Sequence, residues 1–509
     1  MKFKDASAFG VLLSLVTAAW LAPPPWPLGD PEAAYALRAR ELFLGRSGAV
    51  GEPVPVLGAL LGLAVAGDSD FAVRLPGMLT GPTLVALAWG LSPELGRPRA
   101  IALGFLWGFS PVLALAGRTV GPATWVGLLT ALGSFGLIRW AGTGRHAFFY
   151  LAVVSGAVLV GCGPAGWAAL GGLGAAAAVS GRLAGHLWGP GTRPGRPALA
   201  AGVAGLALLL GAFGPLSLTE NPHQPPLPGP VLLAVYEPLA LGAWLVGLSE
   251  GRPGPPPDLP SVLGVVWPIT ALISLLLPVP AEPLAHLGPA SLALGLGASG
   301  ILGRVLTDFP RAVSGRVILG VGLLGAAGGF MVLTTLGALR TGFGPQIPAA
   351  LALASATLGL AGLWVCRDPA GRRVLLPVGL AVLAVFSFHQ FWRANYGLGP
   401  ELIGPTRPGA DLGFIVRTAE EIAGRPSARK GVEVGDAPPT LRWALRSLAE
   451  GPAPGLRLEP GTGDPGLGLV KIPTAYPEFD GAPAFLRWLL YREYDRLRTV
   501  DFVLKQGGS

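Results

Sequence analysis

Thirteen stretches of this chain are long and apolar enough to approach the length of a membrane crossing, and nothing else about it constrains the fold as much. Their limits are approximately 7–22, 75–92, 100–116, 122–139, 146–162, 164–181, 197–214, 230–248, 261–278, 287–303, 315–337, 348–366 and 373–392. A helix needs roughly 20 apolar residues to cross the ~30 Å hydrocarbon core of a bilayer. Inside lipid every backbone N–H and C=O must be paired within the protein, which leaves helices and closed barrels as spanning structures. Only 13% of the 509 residues are charged, against about 25% in an average soluble protein. These runs predict an α-helical polytopic membrane protein with about 13 transmembrane helices over residues 1–392. The apolar stretch Val54–Ala66 is too short to span and is placed at the membrane interface.

Loop charge supports this count and gives it a direction. The first run follows Lys2 and Lys4 and has no small-residue cleavage site, so it is expected to be an anchor. With the N-terminus inside, inner segments hold sixteen Lys and Arg residues and the outer loops before residue 393 hold six. Positive charge collects on the cytoplasmic side of such proteins, so the chain after the last span is expected outside. The net charge of +8 comes from arginines that punctuate apolar runs, with no basic stretch interleaved with aromatics, so no nucleic-acid partner is expected. Cys162 and Cys366 fall at opposite faces and cannot pair.

From residue 393 the long apolar runs stop. Asp411–Ala423, Thr440–Ala449 and Ala484–Leu497 have helical periodicity. Gly431–Val434, Leu456–Leu458, Leu467–Ile472 and Val500–Leu504 read as short strands between Pro and Gly turns. Residues 393–509 are therefore expected to form a small α/β domain on the outer face.

Chemistry is expected in the first outer loop, 23–75, where Gly29-Asp30-Pro31-Glu32-Ala33-Ala34-Tyr35-Ala36 follows the first span. Two carboxylates two residues apart can hold a divalent metal or take a proton from a substrate hydroxyl. The same residues also suit a helix start, with Asp30 as cap, Pro31 at the first position and Glu32 in the first turn. Glu237 lies within span eight, and an intramembrane carboxylate is a functional candidate, unless it sits near the outer interface and reaches water. Arg340, after span eleven, could meet a lipid phosphate through its bidentate guanidinium, or be an ordinary interfacial arginine.

The order Asp-x-Glu-Ala-x-Tyr-Ala, a short interface stretch, and then Gly67-Asp68-Ser69-Asp70-Phe71-Ala72-Val73-Arg74-Leu75-Pro76 resembles the GT-C membrane glycosyltransferases. These include the protein O-mannosyltransferase and aminoarabinose transferase branches. Ser110-Pro111 and Ala116-Gly117-Arg118 fit the same pattern. Asp436–Trp443, Ala484–Glu493 and Val500–Leu504 are similar to phrases of the flippase-activity-associated GT-C proteins. The resemblance implies a plasma-membrane enzyme of a prokaryote, with its N-terminus cytoplasmic and its C-terminal domain extracytoplasmic. Such an enzyme moves a sugar from a polyprenyl-phosphate donor to a lipid or protein acceptor. It implies Asp30 and Glu32 as catalytic residues, Asp30 as the candidate ligand of a divalent metal (Mg or Mn), and Arg118 and Arg340 as partners of the donor phosphate. Two departures stand out. The segment Arg118–Thr124 holds no carboxylate, and Gly51-Glu52-Pro53-Val54-Pro55 lacks the cation or imidazole of the family phrase. The alternative is thus a catalytically silent GT-C subunit, a scaffold among other membrane subunits. A transporter is the third reading, but it lacks the expected charge pair or inverted repeat.

Overall fold

The computed structural model describes residues 2–24, 26–46, 52–183, 229–249, 259–275, 283–308, 369–396, 411–423, 432–433, 437–449, 456–460, 468–473 and 499–506, with eight further positions between 319 and 361. The membrane part begins with α1 (Lys2–Leu21), α2 (Asp30–Phe43), α3 (Pro53–Ala66), α4 (Asp70–Met78), α5 (Thr80–Gly90), α6 (Ser92–Leu95), α7 (Arg97–Gly108) and α8 (Pro111–Arg118). It continues through α9 (Pro122–Thr143), α10 (His146–Val160), α11 (Pro164–Leu183), α12 (Gly229–Tyr236), α13 (Pro238–Ser249), α14 (Leu259–Ser274), α15 (Pro283–Asp308) and α16 (Pro369–Tyr396). These helices cover ten of the thirteen apolar runs. Runs 197–214, 315–337 and 348–366 lie wholly or almost wholly outside the described residues.

Length and apolarity alone qualify Asp70–Gly90 and Leu284–Thr307 as crossings among the described residues, or up to four crossings if two bent pairs each count as one. The bent pairs are α7 with α8 (52°) and α12 with α13 (107°). Both breaks fall at proline, before Pro111 and Pro238. The ring removes an N–H and clashes with the preceding turn. The polar groups released at these breaks find side-chain partners. Trp20 Nε1 donates to Gly108 O at 2.7 Å, and Leu113 N donates to Ser110 Oγ at 3.0 Å. At the other break Leu239 N donates to Ser387 Oγ of α16 at 3.1 Å. In lipid each such group left open would cost several kcal/mol.

The main core packs α1, α5, α7, α8, α9, α11, α13, α14 and α15 around Trp20, Trp107, Trp244 and Trp267. Trp20 needs two glycines. A Cβ at Gly81 would come within 2.1 Å of its ring and one at Gly117 within 2.3 Å, so α1 fits between α5 and α8 only because neither carries a side chain there.

A second, smaller core lies beside it. Ala33, Ala36 and Ala39 of α2 meet Val56, Ala59 and Leu63 of α3, with Leu28, Val73, Val120 and Trp443. The opposite face of α3 exposes Leu57, Leu61 and Val65. At 14 residues and 1.5 Å per residue, α3 is about 21 Å long, too short to span.

The C-terminal part contains α17 (Asp411–Ala423), α18 (Pro439–Ala444), α19 (Arg446–Ala449) and the strands β1 (Val432–Glu433), β2 (Leu456–Pro460), β3 (Gly468–Pro473) and β4 (Thr499–Gln506). The strands form one sheet in the order β1-β2-β4-β3. β1 is parallel to β2, and β4 is antiparallel to both neighbours, with Leu504 opposite Leu458 and Gly468. The helix expected at Ala484–Leu497 lies outside the described residues.

Candidate active site

Pro31 at its first turn, with acids at Asp30 and Glu32, starts α2. Capping falls to Glu32 rather than to Asp30, a correction to the helix-start reading. Glu32 Oε2 accepts the N–H of Gly29, the N-cap, at 2.9 Å. Gly29 has no side chain to return the bond, so only half of a capping box forms.

Glu32 is also tied elsewhere. It and Arg74 are 1% and 2% exposed, with Arg74 Nη2 3.0 Å from Oε2 and Nε 3.2 Å from Oε1. Val120 N donates to Oε1 at 3.1 Å. Arg74 spends its remaining donors on Trp26 O (2.8 Å) and Pro27 O (3.2 Å). A buried ion pair holds only when its other polar atoms are satisfied as well, and here they are. This network joins α2, α4, the segment after α1 and the α8–α9 turn. Through it Glu32 braces these four segments against one another.

Asp30 faces a different partner. Its Oδ1 accepts the Thr440 N–H at 3.0 Å. α18 starts at Pro438-Pro439 with no side-chain cap of its own, so a carboxylate 410 residues away supplies one, where the helix dipole favours negative charge. Two neighbouring acids hold the same segment. Trp443 Nε1 donates to Asp70 Oδ1 at 2.7 Å. Asp68 takes Arg446 Nε at 2.8 Å and Arg40 Nε at 2.9 Å. The Arg446 guanidinium stacks 3.9 Å from the Trp443 ring centre. These anchors escaped sequence reasoning, although both phrases, Gly67–Asp70 and Asp436–Trp443, stood out in it. Their pairing across more than 370 residues leaves no local signal.

Asp30 and Glu32 have separate partners, and no group of three or more His, Cys, Asp or Glu that could hold an ion occurs among the described residues.

Arg118 lies away from Asp30's partners. Its guanidinium is fully buried, with Nη1 2.7 Å from Asn395 O and Nη2 bonded to Ala19 O and, at 2.7 Å, to Tyr396 Oη. It clamps the ends of α1 and α16, leaving its terminal nitrogens committed to carbonyls and a phenol rather than to a phosphate. Arg340 lies outside the described residues. Glu237 sits at the α12–α13 break, 4% exposed. Its Oε1 accepts from Ser110 Oγ, from Ser291 Oγ at 2.8 Å and from Val112 N at 3.3 Å. The carboxylate of one broken helix thus caps the start of α8, the second half of another. It does so from the interior, not from the water-facing position that sequence also allowed.

The broken helices, the braced first-loop helix and the surrounding bundle form a polytopic helical fold that is also found in a solved membrane protein. Two crystal structures of ArnT from Cupriavidus metallidurans share it. The one bound to undecaprenyl phosphate has a TM-score of 0.55 and 16% identity, over 86% of this chain and 85% of that one. The apo structure has a TM-score of 0.53 and 17% identity, over 87% and 85%. No family model and no curated protein sequence matches the chain.

Proposed function

We propose that this protein is a prokaryotic plasma-membrane glycosyltransferase that moves a sugar from a polyprenyl-phosphate donor to a lipid or protein acceptor on the outer face. The observation that carries the reading is the fold shared with ArnT, whose structure holds undecaprenyl phosphate, with Asp30 half-buried at the start of the first-loop helix. In the reaction the acceptor hydroxyl attacks the anomeric carbon, its proton passes to Asp30, and the C–O bond to the phosphate breaks to release polyprenyl phosphate. Only one Asp30 oxygen takes the Thr440 N–H, leaving the other for an acceptor. Glu32 positions the helix through Arg74. Arg340 is the remaining candidate for the donor phosphate.

A second reading is a catalytically silent subunit in a larger membrane complex. It is favoured by the Thr440 bond, which makes Asp30 part of a docking contact, and by the lack of a carboxylate in Arg118–Thr124.

The test uses the purified full chain with a panel of synthetic polyprenyl-phosphate sugars and membrane lipid extract as acceptor, reading release of polyprenyl phosphate by mass spectrometry. Asp30→Asn is expected to lower turnover by about 10²–10⁴-fold, the usual worth of a general base. Donor that binds but is never consumed by the wild type would leave the scaffold reading standing.

A further inference from the structure

The segment 437–449 rests on α2 through α18 and α19, and its anchors differ in kind from those that brace the first loop. Glu32 and Arg74 are sealed from water, so parting them would strand a buried charge. The acids under α18 and α19 are not sealed. Asp30 and Asp70 are half-buried and Asp68 is exposed, so water can take over each one when the segment leaves. Asp68 would keep a cation even then, because Arg40 Nε stays on its Oδ2 at 2.9 Å. An exposed pair such as Arg446 with Asp68 contributes little on its own. Parting this contact therefore leaves no buried charge behind on α2 or α4.

On the other side, parting relieves a defect. The Thr440 hydroxyl is buried without a hydrogen-bond partner among the described residues, although the backbone N–H of the same residue is on Asp30. A buried polar group left open destabilises the state that buries it, and here that is the docked state. Apolar packing keeps the segment down. Leu441, Trp443 and Leu445 are buried, with Trp443 in the small core beside Leu28 and Ala33 and the Arg446 guanidinium over its ring. The docked state is thus the resting one, opposed by an orphaned hydroxyl.

The docked segment also stands where an acceptor would enter. Thr440 N takes one Asp30 oxygen, and the two oxygens of a carboxylate are closer together than a hydrogen bond is long. A hydroxyl on a lipid or protein that reaches the second oxygen has to come in against the start of α18.

We propose that α18 and α19 form a strap over Asp30, closed in this structure, which swings off α2 to admit the acceptor. The proposal rests on Asp30 being the base of the transfer set out above. Trp443 is the latch, and the Thr440 hydroxyl keeps the latch weak enough to release.

Two variants push the strap in opposite directions. Thr440→Val keeps the shape and the backbone N–H but removes the orphaned hydroxyl, so it holds the strap closed. Arg446→Gln removes the Asp68 pair and the cover over Trp443, so it loosens the strap. Each is purified as the full chain in detergent and shown to be monodisperse. Hydrogen exchange of residues 438–448, read by mass spectrometry, is expected to slow by about five- to thirtyfold in the Val variant. In the Gln variant it should quicken by about two- to tenfold, with α8 and α9 unchanged in both. Transfer from the synthetic donors to membrane lipid extract, at limiting acceptor, should move in the same directions, because apparent affinity scales with the fraction that is open. Exchange unaltered in both variants would overturn the strap. Exchange that shifts as expected while transfer stays at the wild-type rate would overturn the gate and leave Asp30 as base. Transfer by the loosened variant alone would show the resting strap to be inhibitory. No transfer by either the wild type or the loosened variant would remove the Asp30 reading itself, and the gate with it.

Discussion

Glu237 and Glu32 are both buried carboxylates, yet their partners make opposite demands. Glu237 accepts only from neutral donors, two hydroxyls and a backbone N–H, so an amide oxygen can take its place. Glu237→Gln is expected to cost less than about 1 kcal/mol. Glu237→Ala, which strands three donors in the interior, should cost about 1–3 kcal/mol or more. Thermal unfolding in detergent ranks the two, and equal losses would show that the Ser110–Ser291 cluster contributes nothing. Glu32 faces a full cation. Arg74→Ala leaves its charge buried without a partner and should cost about 3–5 kcal/mol. Adding Glu32→Gln to Arg74→Met should recover part of the loss of either single change, a coupling that a double-mutant cycle in denaturant measures directly.

Helices in this protein begin where proline permits and depend on other elements for their caps. α8 takes its cap from Ser110 and Glu237, α13 from Ser387, and α18 from Asp30. The last of these ties the C-terminal part to the first loop, and Trp443, 2% exposed, fills the small core beneath it. Trp443→Ala is expected to cost about 3–5 kcal/mol at that contact. It should free the segment after residue 437 for limited proteolysis while α4 to α16 stay folded. Protection identical to wild type would mean that the contact does not hold the C-terminal part in place. The positions of α17, β2, β3 and β4 could be read from periodicity and alternation, because hydrogen-bonded strands and amphipathic helices repeat over a few residues. The docking of α18 on α2 could not, because it rests on side chains 410 and 373 residues apart.

For the molecule as a whole, the asymmetry of loop charge predicts thirteen crossings, the N-terminus inside and the chain after residue 392 outside. A periplasm-dependent phosphatase fused after Ser509 should be active and a cytoplasm-dependent fluorescent protein there dark. The reverse pattern would require an even number of crossings or an N-terminus on the outer side. The apolar runs decided that the chain is a helical membrane protein, since hydropathy is a local property, whereas the bends before Pro111 and Pro238 were not read from sequence, and Pro268, Pro289 and Pro377 stand inside unbroken helices. The first-loop phrases also carried a resemblance to the aminoarabinose transferases, and the chain shares its fold with the ArnT crystal structures. Only tertiary structure decided what each charge does. Asp30, Glu32, Arg118 and Glu237 all stood out as chemistry. In a low-dielectric interior, however, a charge belongs to whichever helix packs against it, and that turned Glu32 into a brace, Arg118 into a clamp and Glu237 into a cap.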